Sequence, residues 1–159
     1  MKIRSSALGF TLMELILVVV LLSILSLFVA SRFMGSSSFS AYTLQERVIS
    51  VIRQVQVNRM QSNVASPDNN FRLQVSSSCV GSVAACELTD SAQDARSDVV
   101  IDKSAKFSVI SGAANTINFN LLGNPVSGAV NILIEDKHGR SRCQVEINSQ
   151  GYVSKGTCS

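Results

Sequence analysis

From Phe10 to Ala30 the chain reads FTLMELILVVVLLSILSLFVA, 21 residues that carry one charge, Glu14. As a helix this run is about 31 Å long at 1.5 Å per residue, close to the hydrocarbon thickness of a bilayer. Lys2 and Arg4 precede it and Arg32 follows it. Basic residues ahead of the run predict a cytoplasmic N-terminus, with everything after Arg32 outside the cytoplasm. The expectation is a single membrane-spanning helix over 10–31. A secretory signal peptide is the rival reading. The run is long against the ~7–15 residues of a secretory apolar region. Phe28-Val29-Ala30 is also a poor cleavage site, although Val29-Ala30-Ser31 is better.

Glu14 is out of place in such a run. A carboxylate inside a bilayer costs roughly 2.5–3.5 kcal/mol on insertion scales. Either it snorkels to the cytoplasmic interface, or it meets a cation that offsets its desolvation.

Removing the run leaves about 130 residues, enough for one modest domain. The net charge is +3, and Lys2 and Arg4 supply two of those charges. This balance does not demand a nucleic-acid partner. A helical pattern resumes over 39–63, where Ala41, Leu44, Val48, Ile52, Val55 and Arg59 recur at steps of three or four. Gln45, Glu46, Arg53, Gln54 and Gln56 take the wetter face, with Arg47 and Arg59 helping to keep it soluble. Asn63 and Pro67 end the pattern. Gly35 and its neighbouring serines make a bend between the two helical halves.

From Phe71 the period changes to two. Phe71/Leu73/Val75, Phe107/Val109, Ile117/Phe119/Leu121, Val130/Ile132/Ile134 and Cys143/Val145/Ile147 alternate with polar residues, and Val153 follows. The separators are turn residues at Gly112, Gly123-Asn124-Pro125, 137–140 and 149–151. This predicts five or six short antiparallel strands within a β-rich domain over 64–159. The fold class is therefore α+β, with the stripe from Ala41 to Val55 laid on the sheet. The polar stretch 76–98 reads as one long loop.

The four cysteines, Cys79, Cys86, Cys143 and Cys158, all lie beyond the apolar run. An even count in an exported domain reads as two disulfides, and four cysteines allow three connectivities. The local pairs Cys79–Cys86 and Cys143–Cys158 are favoured, because each encloses turn-rich sequence. The C-x6-C and C-x14-C spacings with a lone His138 do not fit a zinc site. No metal and no cofactor are expected. Nor is catalysis: His138 sits in a hairpin turn, and the chain has no Gly-rich phosphate loop opening a helix. Lys137, His138, Arg140, Arg142 and Lys155 cluster near that hairpin and the C-terminus. They could contact an anion such as DNA. A solvated turn is the favoured reading, since few aromatics accompany them for base stacking.

The segment Gly9-Phe10-Thr11-Leu12-Met13-Glu14-Leu15 resembles the prepilin signature of type IV pilins and type II secretion pseudopilins. A short charged leader, a small residue, an aromatic, Glu four residues later and a long apolar helix occur in that order. The resemblance implies removal of a leader over 1–9 by prepilin peptidase, between Gly9 and Phe10, and methylation of the new Phe10 amine. The mature chain would keep 150 of its 159 residues and a charge of +1. Glu14 would then pair with the Phe10 amine of a neighbouring subunit. Two charges ~4 Å apart attract by about 4 kcal/mol at an effective dielectric of 20, part of which offsets desolvation.

The C-terminal half, INFNLLGNPVSG through CQVEINSQGYVSKGTC, resembles the GspH/FimT group of minor pilins and pseudopilins. Residues 31–63 resemble a narrower group, the MshC-type minor pilins of the mannose-sensitive haemagglutinin (MSHA) pilus. Ser31 and Val51 stand where many major pilins carry Pro, which leaves Gly35 as the flexible point. The resemblance implies a minor subunit anchored in the bacterial inner membrane, its domain in the periplasm and later in an extracellular pilus. Its partners would be other pilins through the N-terminal helix, the peptidase and the inner-membrane assembly platform. Its role would be pilus initiation or a place at the tip, and so surface attachment. The alternatives are a minor pseudopilin of type II secretion and a DNA-binding FimT-like pilin.

Overall fold

Period-two segments from Arg72 onward and one amphipathic helix before them build the larger part of the molecule. In the computed structural model, residues 11–33, 40–112 and 114–159 are described, with side chains of the first helix described as far as Ser26. Gly9, Phe10 and Gly35 lie outside the described residues. Helix α1 (Leu12–Phe33) belongs to one compact unit, and everything from helix α2 (Ser40–Gln61) onward belongs to another.

In the larger unit, two four-stranded antiparallel sheets follow α2. The first takes the order β3-β2-β1-β5, from Val99–Ile101, Cys79–Ser82, Arg72–Val75 and Thr116–Asn118. The second takes the order β4-β6-β7-β8, from Ala105–Ser111, Val130–Asp136, Arg142–Ile147 and Val153–Cys158. Two single-turn helices, α3 (Val83–Cys86) and α4 (Asp90–Gln93), lie between β2 and β3.

The strand expectation of five or six thus becomes eight, and one sheet becomes two. The added strands are β2, inside the stretch read as a long loop, and β3, just after it. All four residues of β2 are buried, so it lacks the alternation that marks a half-exposed strand. Val99–Ile101 is too short to show a period. β6 is the opposite case: its burial alternates along all seven residues. Leu121, placed on a strand by the same alternation, is 47% exposed, because the chain turns after Phe119 and bridges back at Pro125.

Ala41, Leu44, Val48, Ile49, Val51, Ile52 and Val55 of α2 share one core with Leu73, Val80, Phe107, Ile117, Phe119, Ile132, Ile134 and Val145. Each such aliphatic side chain contributes roughly 1.5–3 kcal/mol by leaving water. α2 touches strands of both sheets, so the helix is the element that joins them. It stops where Asn63 takes a left-handed φ of 50°, a conformation Asn tolerates better than most residues.

Candidate functional site

The N-terminal end of α1 is built from Thr11 and Glu14. The Thr11 hydroxyl and carbonyl both accept from the Glu14 amide, at 3.3 and 3.1 Å. That is half of a capping box, and Thr-x-x-Glu is its sequence signature. Glu14 is also an acidic group in the first helical turn, where its charge opposes the positive end of the helix dipole. Local helix chemistry therefore gives this carboxylate one role that the apolar run by itself does not reveal. The remaining described side chains of α1 are apolar on every side: Leu12 through Leu25 are 44–76% exposed. Ser23 and Ser26 turn their hydroxyls onto the Val19 and Leu22 carbonyls, both at 2.7 Å, leaving no polar stripe. Among the described residues, no helix is long and apolar enough to cross a membrane. The span read over 10–31 begins at Phe10 and extends past Ser26, outside the described side chains.

Two polar residues of α2 do not sit where periodicity places them. Gln45 and Gln56, assigned to the wet face, are buried, and so is Arg59, which falls in the stripe by spacing although its charge suits the wet face, at 4%, 6% and 3% exposure. Each reaches backbone carbonyls far along the chain. Gln45 Nε2 donates to the Gln144 carbonyl at 2.6 Å. Gln56 Nε2 donates to the Gly123 and Gly151 carbonyls at 2.9 and 2.8 Å. Arg59 donates to the Phe119, Val64 and Ala65 carbonyls at 3.1, 2.8 and 3.3 Å, and to the Ser62 hydroxyl at 2.9 Å. Gln56 and Arg59 hold the 119–124 and 148–151 loops on the C-terminal end of α2, whereas Gln45 ties the start of the helix to β7. Gly151 fits this seam as glycine only: its φ is +80°, and a Cβ there would stand 2.4 Å from the Gly123 carbonyl oxygen. Val57, Met60 and Leu122 line a hollow over the two loops, with Leu122 76% exposed.

The stretch between β2 and β3 is ordered by two devices. The first is the Cys79–Cys86 disulfide, and the second pair is Cys143–Cys158, joining residues that face each other across β7 and β8. The other device is a partly buried ion pair, with Asp98 buried and Arg96 half-buried. Arg96 donates to both Asp98 carboxylate oxygens, at 2.8 and 2.7 Å, and also to the Ser82 hydroxyl that caps α3 and to Asn70 Oδ1, each at 3.3 Å. Burial by itself would raise the Asp98 carboxyl, but the hydrogen bonds from Arg96 and Ser82 and the Arg96 charge outweigh it. The group sits below the ordinary carboxylate range. A depressed carboxyl adds stability above its unfolded value of ~3.9 and loses it as pH falls through the folded value. Asp98→Asn is therefore expected to cost stability at pH 7 and to flatten the fall in stability below about pH 4. Urea midpoints for both proteins across that range would test it, and parallel curves would refute the assignment.

The basic turn separates into parts. Lys137, His138 and Arg140 are exposed on the β6–β7 turn. Arg142 instead pairs with Glu135 at 2.9 Å, and Lys155 pairs with Glu46. Two of the five cations grouped by sequence are thus already engaged. Lys137 faces a different set, a cleft that also contains Lys103 and Lys106. Sequence spacing hid it, because its walls come from three separate turns. Among the described residues, no group of three or more His, Cys, Asp or Glu side chains could hold a metal ion.

No protein-family model matches this chain. No curated protein matches it either. Its structure is similar to two crystal structures of the type IV minor pilin FimU of Pseudomonas aeruginosa strain PAO1. One shares 10% identity at a TM-score of 0.47, covering 73% of this chain and 92% of that one. The other crystal form shares 9% identity at a TM-score of 0.49, covering 77% and 92%.

Proposed function

We propose that this chain is a minor subunit of a type IV pilus, of the MSHA-like kind, acting in initiation or at the filament tip. The observation that carries the reading is α1: apolar on every described side, with one carboxylate at its capped first turn. Such a surface is stable only when lipid or other helices cover it. In the membrane, the 10–31 segment anchors the chain with its N-terminus in the cytoplasm and the α2–sheet unit in the periplasm. In the filament, the same segment packs among the helices of neighbouring subunits, and Glu14 sets the register by meeting a neighbour's Phe10 amine. The role is structural rather than catalytic.

The test is the intact mass of the protein purified from membranes of a host that carries prepilin peptidase. Loss of residues 1–9 with gain of one methyl group is the expected result. Loss of everything through about residue 31 would make the chain an ordinary exported domain. An uncleaved chain would make it a simple anchored protein. Either of these outcomes overturns the proposal.

A further inference from the structure

Two loops of the same build lie side by side on the C-terminal end of α2. In the first, Asn120 Oδ1 accepts from the Leu122 and Asn124 amides at 2.9 and 3.0 Å, and the Asn120 amide donates to the Asn124 carbonyl at 2.9 Å. The second repeats this at Asn148. Its Oδ1 accepts from the Gln150 and Tyr152 amides, both at 2.9 Å, and its amide donates to the Tyr152 carbonyl at 3.0 Å. Gly123 and Gly151 hold the same place in the two loops, at φ of +81° and +80°. Asn-x-x-Gly is thus one turn used twice. Gln56 then fixes both loops through the Gly123 and Gly151 carbonyls. A surface held this firmly loses little freedom when something covers it.

What the surface presents is apolar and uncharged. Leu121, Leu122 and Tyr152 on the loops are exposed, as are Val57 and Met60 on α2. No charged residue occurs from Phe107 through Ile134, or from Ile147 through Ser154. Arg53 is the one charged residue lining the hollow, and it donates to the Val153 carbonyl at 2.9 Å. Such a surface does not repel a copy of itself, and it offers little counter-charge to a nucleic acid or an acidic headgroup. Its shape also suits itself. Leu122 lines a hollow of about 230 Å³ beside Val57 and Met60, yet most of its own side chain stays outside. Under a two-fold axis the same knob enters the same hollow on the other copy. The area is small against the roughly 800 Å² per partner of a stable complex. The contact is therefore weak in free solution and matters where copies share a membrane plane. In that respect alone it rests on the anchoring proposed above.

We propose that a second copy of this chain docks on this surface, with Leu122 of each copy entering the hollow beside Val57 and Met60 of the other. The test places the photoreactive residue p-benzoylphenylalanine at Tyr152 of the full chain, in membranes of a host that carries prepilin peptidase. The same residue at Arg140 is the control. It lies on the β6–β7 turn, at the other end of β7, and reports copies that meet only through α1. The expected result is a dimer adduct from Tyr152, roughly tenfold above that from Arg140. Mass spectrometry should map it to 57–60, 119–126 or 148–152 of the second copy. L122D sets a carboxylate on each face and is expected to cut the Tyr152 adduct roughly tenfold. Leu122 is exposed, and an unchanged circular dichroism melt of L122D separates loss of docking from loss of fold. The proposal falls if Tyr152 gives no dimer adduct, or if it captures a lipid or a different protein instead. It also falls if the adduct maps elsewhere on the second copy, or if L122D leaves the yield unchanged. Intact mass from the same membranes keeps the two readings apart. An uncleaved chain with an L122D-sensitive adduct would overturn the pilus reading alone, and a processed, methylated chain without the adduct would overturn this one alone.

Discussion

Arg59→Met is expected to lower unfolding stability by about 3–5 kcal/mol, since a buried carbonyl left without its donor costs roughly 1–3 kcal/mol and this guanidinium serves three. Methionine keeps much of the volume of the stem, so lost packing is a minor part of the change. The Phe119 carbonyl, behind the buried Phe119 ring, has the least access to replacement water. The Val64 and Ala65 carbonyls lie in an exposed segment and recover part of their loss from solvent. Lysine at the same place should rescue little, because a single ammonium cannot span the three carbonyls and the Ser62 hydroxyl. Urea unfolding of the wild type, R59M and R59K measures this directly. A loss below about 1 kcal/mol in R59M would mean that the clamp is incidental to the fold.

Removing the Cys143–Cys158 disulfide comes second. Its sequence separation is 15 residues, against 7 for Cys79–Cys86. Loop-closure entropy assigns about 3 kcal/mol to the longer loop and about 2.4 kcal/mol to the shorter. The longer crosslink also sits deeper, with Cys143 fully buried in the core shared by α2 and both sheets. C143A/C158A is therefore expected to lose at least as much as that estimate and more than C79A/C86A. Alanine is chosen over serine so that no unpaired hydroxyl enters the core. Urea midpoints of the two double variants give the ranking, and a reversed order would show that the β2–α3 crosslink carries more of the fold.

The clamp also bears on how the surface near Met60 and Leu122 is held. Gln56 joins the Gly123 and Gly151 carbonyls, and Gly151 lies against Gly123 with no room for a side chain. The two loops therefore hold one geometry under the apolar residues above them. Periodicity marks Arg59 as a member of the buried stripe, and its charge argues the other way. Burial prevailed because the guanidinium found carbonyls enough to replace water.

What the residues determined by themselves was whatever depends on near neighbours. The step of three and four over 39–63 marks α2, and Asn63 marks where it stops. Alternation marks β6 and β7 in full, as well as the inward residues of β1, β4 and β5. Thr11 and Glu14 sit at the spacing of a capped helix start, legible in Thr-x-x-Glu although the apolar run drew attention elsewhere. The tertiary structure alone decided the division into two sheets, the strands β2 and β3, the burial of Gln45 and Gln56, and the meeting of Lys103, Lys106 and Lys137. The physical reason is common to all four. Side-chain period reports a residue's relation to solvent along one segment, whereas these features depend on partners supplied from elsewhere in the chain. Gln45 meets a carbonyl 99 residues away, and Arg59 meets one 60 residues away.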